Sequence, residues 1–226
     1  LKNWIACNYT TINEINKKGL KKKESSTTEE IRKKRGDEFE EKIYKKLIKQ
    51  YPKHIKIKKD DDRFEKTKEA LKKGYDLIHK AHFKYKGWVG EIDFLIKDQN
   101  KKTKNGKWRY EVYDTKLSSN AKTDHITQIS LYSEWIATQQ DNELPDFMYL
   151  ILGKKDKEKK NSRIKIDEEI KTYKTQNYQL YFQNNKANYI KFLDSDKKNT
   201  HPEKCGFCAL CEYSDICEEQ WLAKDH

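Results

Sequence analysis

No stretch of this 226-residue sequence approaches the apolar length that spans a bilayer, and no secretory signal is visible. A membrane location is therefore not expected, and the expected compartment is cytoplasmic and reducing. Disulfides form poorly in such a compartment, so the five cysteines call for another explanation. Hydrophobic residues are scarce at 35%, fewer than the 38% that are charged. Disorder is nonetheless not expected, because 14 tyrosines and five tryptophans supply large apolar surface. Arginine is also scarce, and the net charge of +12 rests on lysine. Lysines neutralise phosphates, so the charge suits a polyanion partner. A composition crowded with Lys, Asn, Ile and Tyr accounts for it equally well. The chain opens at Leu1 rather than Met, which raises the expectation of a fragment of something longer.

The length suits one sizeable core with a small annex. Residues 1–20 suggest a short helix or turn leading into a basic linker. Ser, Thr and Glu in "ESSTTEE" then start a long helix over about residues 28–50, which Pro52 ends. "HIKIK" alternates like a strand, and "DRFEKTKEALKKGYDLI" reads as a helix stopping near Gly74. "YDLIHKAHFKYK", "GWVGEIDFLIKD" and "WRYEVYDTKL" predict three strands of a meander, with "QNKKTKNGK" as a hairpin loop. Ile126, Ile129, Leu131, Tyr132 and Trp135 follow at helical spacing. "FMYLILG" predicts a buried strand and "RIKIDEEI" one more, and residues 173–193 an amphipathic helix. This order predicts an α/β fold with a central mixed β-sheet flanked by helices.

Two residues apart on a strand, Asp114 and Lys116 share a face. A hairpin can bring Asp93 of the preceding strand beside Asp114. Two carboxylates at that spacing repel unless a cation sits between them, and oxygen ligands favour Mg²⁺ or Mn²⁺. Such an ion polarises a phosphate and lowers the pKa of bound water. Lys116 is then placed to position that water or stabilise developing charge. At helical spacing Glu40 lies in line with Tyr44, Leu47 and Tyr51 on an inward face, where an unpaired carboxylate is costly. Its neighbour Glu41 is rotated toward the lysine-rich side. Taken singly, each acid could be an ordinary surface ion pair, and a lone helical His125 is a packing or phosphate-contact residue. The joint arrangement points to phosphodiester hydrolysis.

Cys205-x2-Cys208-x2-Cys211-x5-Cys217 packs four thiols into thirteen residues. Thiolates at x2 spacing converge on one metal centre, and these four would suffice for zinc.

These motifs resemble the PD-(D/E)xK nuclease superfamily in its RecB-like, iron–sulfur branch, which includes CRISPR-adaptation exonucleases and nuclease domains linked to helicases. "RGDEFE" matches the first-helix motif, "GEIDF" the metal-aspartate motif, "YDTK" the D/E-x-K motif and "QISLY" the Q-x-x-x-Y motif. The resemblance implies a restriction-endonuclease-like core over residues 28–200. It implies an N-terminal segment, 1–27, carrying one cluster cysteine, and a cysteine-rich iron–sulfur annex over 201–226. By the same resemblance Asp93 and Asp114 bind catalytic Mg²⁺ or Mn²⁺ and Lys116 is the catalytic lysine. Gln128 and Tyr132 shape the site and the DNA path. Many relatives carry His where this chain has Phe39, and the adjacent Glu40 is then the expected third ligand. The branch binds a structural [4Fe–4S] cluster through one early cysteine and a later C-x2-C-x5-C. Cys7, Cys208, Cys211 and Cys217 fit that pattern, leaving Cys205 spare.

The resulting expectation is a metal-dependent deoxyribonuclease acting on single-stranded DNA ends, with a helicase or CRISPR-adaptation partner. Lysine-rich loops at 97–107 and 154–163 are expected to track the phosphate backbone, with Trp108 and Trp221 as candidate base-stacking residues. One rival is a nuclease-fold DNA-binding module with weak or lost cutting. Another is a zinc-ribbon nucleic-acid-binding protein.

Overall fold

The computed structural model describes residues 1–16, 20, 22–23, 27–155, 166–197 and 200–223. The chain divides into two compact units. One comprises Lys33–Leu180, and the other joins Leu1–Arg32 with Tyr181–His226. The first unit is shorter at both ends than the 28–200 core that the resemblance implies.

Lys33–Leu180 is built on a six-stranded mixed sheet flanked by helices. Its strands are β1 (His54–Lys56), β2 (Leu77–Tyr85), β3 (Trp88–Lys102), β4 (Trp108–Lys116), β5 (Phe147–Lys155) and β6 (Ile166–Lys174), side by side in chain order. β2, β3 and β4 form an antiparallel meander. β1 is parallel to β2 and β4 is parallel to β5. A parallel pair needs a crossover, and two helices supply it: α4 (Arg63–Lys72) before β2 and α5 (Thr123–Gln139) before β5. β6 returns antiparallel to β5 and ends the sheet.

The long helix α3 (Thr27–Gln50) covers one face. Phe39 and Ile43, four residues apart, lie on one stripe of it. They pack with Leu77, Phe94, Ile96 and Ile151, and Tyr44, Leu47 and Tyr51 border the cluster. Each such side chain contributes roughly 1.5–3 kcal/mol by leaving water. Phe39 is thus a core residue. Glu40 comes next on the helix and is drawn under cover with it, while Glu41 stays at the surface and pairs with Lys56 at 2.8 Å.

The predicted hairpin loop is shorter than expected. β3 continues to Lys102, and the turn is Thr103–Lys107, closed by Thr103 N donating to Lys107 O and Gly106 N to Thr103 O. Gly74, after α4, adopts φ +64, and a Cβ there would lie 2.3 Å from the Trp108 indole nitrogen. Its lack of a side chain is what admits that ring. Residues 156–163 of the second lysine-rich loop, and the start of the strand expected at 163–170, lie outside the described residues.

The other unit contains α1 (Lys2–Ala6), α2 (Asn8–Ile15), the end of α6 (Thr175–Asp194) and α7 (Ser214–Ala223). Tyr9, Ile12 and Cys217 form its small core, bordered by Cys7, Phe192 and Trp221. Hydrogen bonds tie its early and late segments. Tyr9 donates to Gln220 at 2.8 Å, Tyr213 to Glu14 at 2.9 Å, and Lys23 N to Glu212 O at 2.8 Å. Among the described residues no helix is long and apolar enough to cross a membrane.

Candidate functional site

β3 pairs Phe94 with Tyr113 of β4, so one step further along the register Asp93 stands across from Asp114. On its other side the β2 register sets Asp93 opposite Lys80. Asp93 is therefore central to a three-strand row, Lys80–Asp93–Asp114. Its Oδ2 accepts from Thr115 N at 2.7 Å and from Thr115 Oγ1 at 2.6 Å. Asp114, 1% exposed, forms a close ion pair with Lys116 two residues on, on the same strand face.

Glu40 reaches this row from α3. Its Oε1 lies 2.7 Å from His79 Nε2 and its Oε2 2.6 Å from Lys80 Nζ. His79 is stacked between Tyr44 and Phe94, at centroid distances of 4.2 and 4.9 Å. Burial holds the imidazole below its ordinary pKa, so at neutral pH it is uncharged and gives Glu40 its Nε2–H. Burial works against the Glu40 carboxylate, but the bonds from His79 and Lys80 outweigh it and keep its pKa low. Lys80 also lies 3.1 Å from Glu91 and 4.0 Å from Asp93.

The electrostatic strain concentrates on Asp93. Burial, then Asp114, then Glu40 push its carboxyl up to about 7. Burial opposes charge on Lys116, yet Asp114 and Asp93 hold its pKa above the usual lysine value. The folded chain thus keeps a proton on Asp93 that the unfolded chain releases near pH ~4. Metal-free stability should fall as pH rises from about 4 to about 7 and then level off. Asp93→Asn, which mimics the protonated form, is expected to melt higher than wild type at about pH 8 and equally near pH ~4, in chelator. A lower melting temperature at the higher pH would show that the neighbouring lysines stabilise the charge.

The helical residues fall beside the acids. Gln128 Nε2 donates to Tyr132 OH at 2.6 Å across one turn of α5. Burial, then Asp114, raises the Tyr132 pKa, and Asp93 and Glu91 add to it. Gln128 Oε1 is buried without a hydrogen-bond partner. His125 accepts from Lys122 N at 3.3 Å and so helps start α5.

The structure therefore gathers Glu40, Asp93, Asp114, Lys116, Gln128 and Tyr132 into one neighbourhood, with the acids turned to protein partners. Among the described residues no three His, Cys, Asp or Glu side chains are grouped as a ready metal-binding set. Sequence reasoning missed Lys80, His79, Glu91 and Thr115. Thr115 lies inside "YDTK" and Glu91 inside "GEIDF", so their proximity was available; nothing in the pattern marked Lys80.

The cysteines occupy the other unit. Cys7, Cys208, Cys211 and Cys217 line one cavity with Thr10, Asn13 and Ser214. Burial, then Cys211, Cys7 and Cys208, push the Cys217 thiol up to about 11. Backbone N–H groups point at two of the sulfurs: Cys205 N to Cys208 at 3.3 Å and Tyr213 N to Cys211 at 3.4 Å. The buried Asn13 Nδ2 makes no hydrogen bond of standard geometry, although it lies close enough to Cys217 to favour a thiolate. Cys205 does not line that cavity but sits against one of the cysteines that does. Its sulfur contacts Cys208 and the Ala6 carbonyl, each at 3.8 Å.

The two candidate base-stacking tryptophans are engaged within the protein. Trp221 donates to Pro202 O at 2.7 Å, and Trp108 lies over Gly74 with the Lys97 and Lys102 ammonium groups at 4.4 and 4.2 Å from its ring. No protein-family model matches the sequence, and no curated protein matches it.

Proposed function

We propose that this chain is a divalent-metal-dependent deoxyribonuclease with a restriction-endonuclease-like core, acting on single-stranded DNA ends. The observation that carries the reading is geometric: Asp93 and Asp114 face each other across β3 and β4, Lys116 is paired to Asp114, and Glu40 reaches the same row through Lys80, a crowding that raises the Asp93 pKa. Like charges are held together at such cost where a cation is to be received. The element order supports it too: a helix bearing one acid, a meander bearing two, a crossover helix, then a strand parallel to the third of the meander.

Glu40, Asp93 and Asp114 would hold Mg²⁺ or Mn²⁺, oxygen donors suiting a hard cation. When bound, the ion supplies Lewis-acid polarisation of the phosphate and a more acidic water. Asp114 fixes the Lys116 ammonium, which then orients the nucleophile or offsets charge on the phosphate. The Gln128–Tyr132 pair walls the site on the α5 side.

For the second unit the proposed group is a structural [4Fe–4S] cluster held by Cys7, Cys208, Cys211 and Cys217. Their shared cavity, the N–H groups facing sulfur and the Asn13 amide beside Cys217 suit a sulfur-rich anion. A single zinc held by Cys205, Cys208, Cys211 and Cys217 is the alternative, and the 3.8 Å between the Cys205 and Cys208 sulfurs suits it. A colourless protein containing only zinc would decide against the cluster.

A second reading, a DNA-binding module without cutting activity, is favoured by one observation. Both Glu40 oxygens are taken by His79 and Lys80. The test is end-labelled single-stranded and duplex DNA, and a labelled RNA, with Mg²⁺ or Mn²⁺. Metal-dependent shortening of the single strand, stopped by chelator, is expected. Binding without any cleavage would leave the module reading.

A further inference from the structure

Lys80 carries two irregularities that no ordinary core lysine needs. Its φ is +60, the left-handed region that a non-glycine residue enters at a cost of roughly 1–3 kcal/mol. The register places it opposite Asp93, yet this pair drops out of a ladder continuous on both sides, from His79↔Phe94 to Ala81↔Ile92. Consecutive strand residues point to opposite faces. Here His79 and Lys80 both reach Glu40, one on each oxygen. The local backbone excursion accounts for that double grip and leaves the ammonium among Glu40, Glu91 and Asp93, at 2.6, 3.1 and 4.0 Å.

We propose that Lys80 is an internal counter-cation of the carboxylate site, one that a divalent ion must displace from Glu40 in order to bind. The inference rests on the metal-site reading above. It makes Lys80 a positioning residue that keeps the acids converged and sets how much metal is required to load the site. Burial opposes its charge, but Glu40 and Asp93 keep the ammonium protonated. The charges facing it are those of Glu40 from α3, Glu91 and Asp93 from β3, and Asp114 and Lys116 from β4, with Arg63 of α4 at 4.0 Å from Glu91. Three cationic groups thus meet four carboxyl groups, and an added cation would offset the negative charge that remains once Asp93 is ionised.

The experiment is Mn²⁺ titration, by calorimetry and by Mn²⁺ spin resonance, of the whole chain as wild type, Lys80→Gly, Lys80→Ala, Lys80→Arg and Asp114→Asn. Glycine suits φ +60, so Lys80→Gly keeps the fold while removing the charge; Lys80→Ala removes the charge and retains the strain. Both are expected to bind Mn²⁺ about tenfold more tightly or better, since a positive charge 2.6 Å from Glu40 and 4.0 Å from Asp93 is gone. Lys80→Arg should stay near wild type. A purely structural role predicts the reverse, weaker Mn²⁺ binding in Lys80→Gly and Lys80→Ala because Glu40 loses an anchor. Unchanged or weaker binding in those variants, with wild-type binding that Asp114→Asn abolishes, would overturn this inference alone. No Mn²⁺ bound by any form would overturn the metal-site reading and this inference with it.

Discussion

Asp114→Asn is expected to reduce DNA cleavage by roughly 10³-fold while the protein folds and binds DNA much as before. The substitution keeps the shape of a side chain that is 1% exposed, so packing against the sheet survives. What is lost is charge. Lys116 loses the carboxylate that fixes it, and the metal site loses one of its three acids. Lys116→Met probes the same pair from the other side. It leaves Asp114 buried without its ammonium, which costs about 3–5 kcal/mol when a buried pair is broken. Cleavage should disappear, with a lower melting temperature, and single-strand affinity should change within about twofold, because affinity is spread over many phosphate contacts. A Lys116→Met protein that cuts at the wild-type rate but binds weakly would show that the lysine only clamps the backbone.

The second large effect is expected at the cysteines. Cys7→Ser should lose nearly all iron and Cys205→Ser should retain it, measured as metal content and colour of protein purified without air. Cys7 borders the core that Tyr9, Ile12 and Cys217 make, and it shares a cavity with the three later thiols. A group bound there would join the α1–α2 segment to the α7 segment, so its loss should lower the thermal stability of this unit as well. Serine at 205 removes only contacts to Cys208 and to the Ala6 carbonyl. The opposite result, iron kept without Cys7 and lost without Cys205, would reassign the ligands to the local four.

Much of the site could be read from spacing because spacing is what a strand or helix turns into geometry. Period two put Asp114 and Lys116 together, and period 3.6 turned Glu40 inward beside Phe39. Lys80 was invisible for the same reason. A regular strand would send it away from His79, and the departure lies in a backbone angle that no residue type there announces. The lysine-rich hairpin was overestimated because charge was taken for loop. Residues 99–102 are polar and yet belong to β3, where the ladder is irregular after Lys97 and resumes at Lys102, opposite Trp108. Trp108 illustrates a different gap. Its partner Gly74 is 34 residues earlier, and only the folded chain brings a missing side chain under an indole.

The outermost strand of the sheet has a consequence for handling the protein. Among the described residues β6, like β1 at the opposite edge, has no further neighbour, and a bare strand is a template on which other chains can add and grow into fibres. Its Glu168 is held by Lys42 and Lys46, and Glu169 is paired with Lys171 at 2.6 Å. Any incoming strand would have to bury those ions beside the exposed Ile170. Concentrated solutions should therefore resist amyloid-type growth from this margin as long as those carboxylates stay ionised, and acidification should be the condition that removes the safeguard.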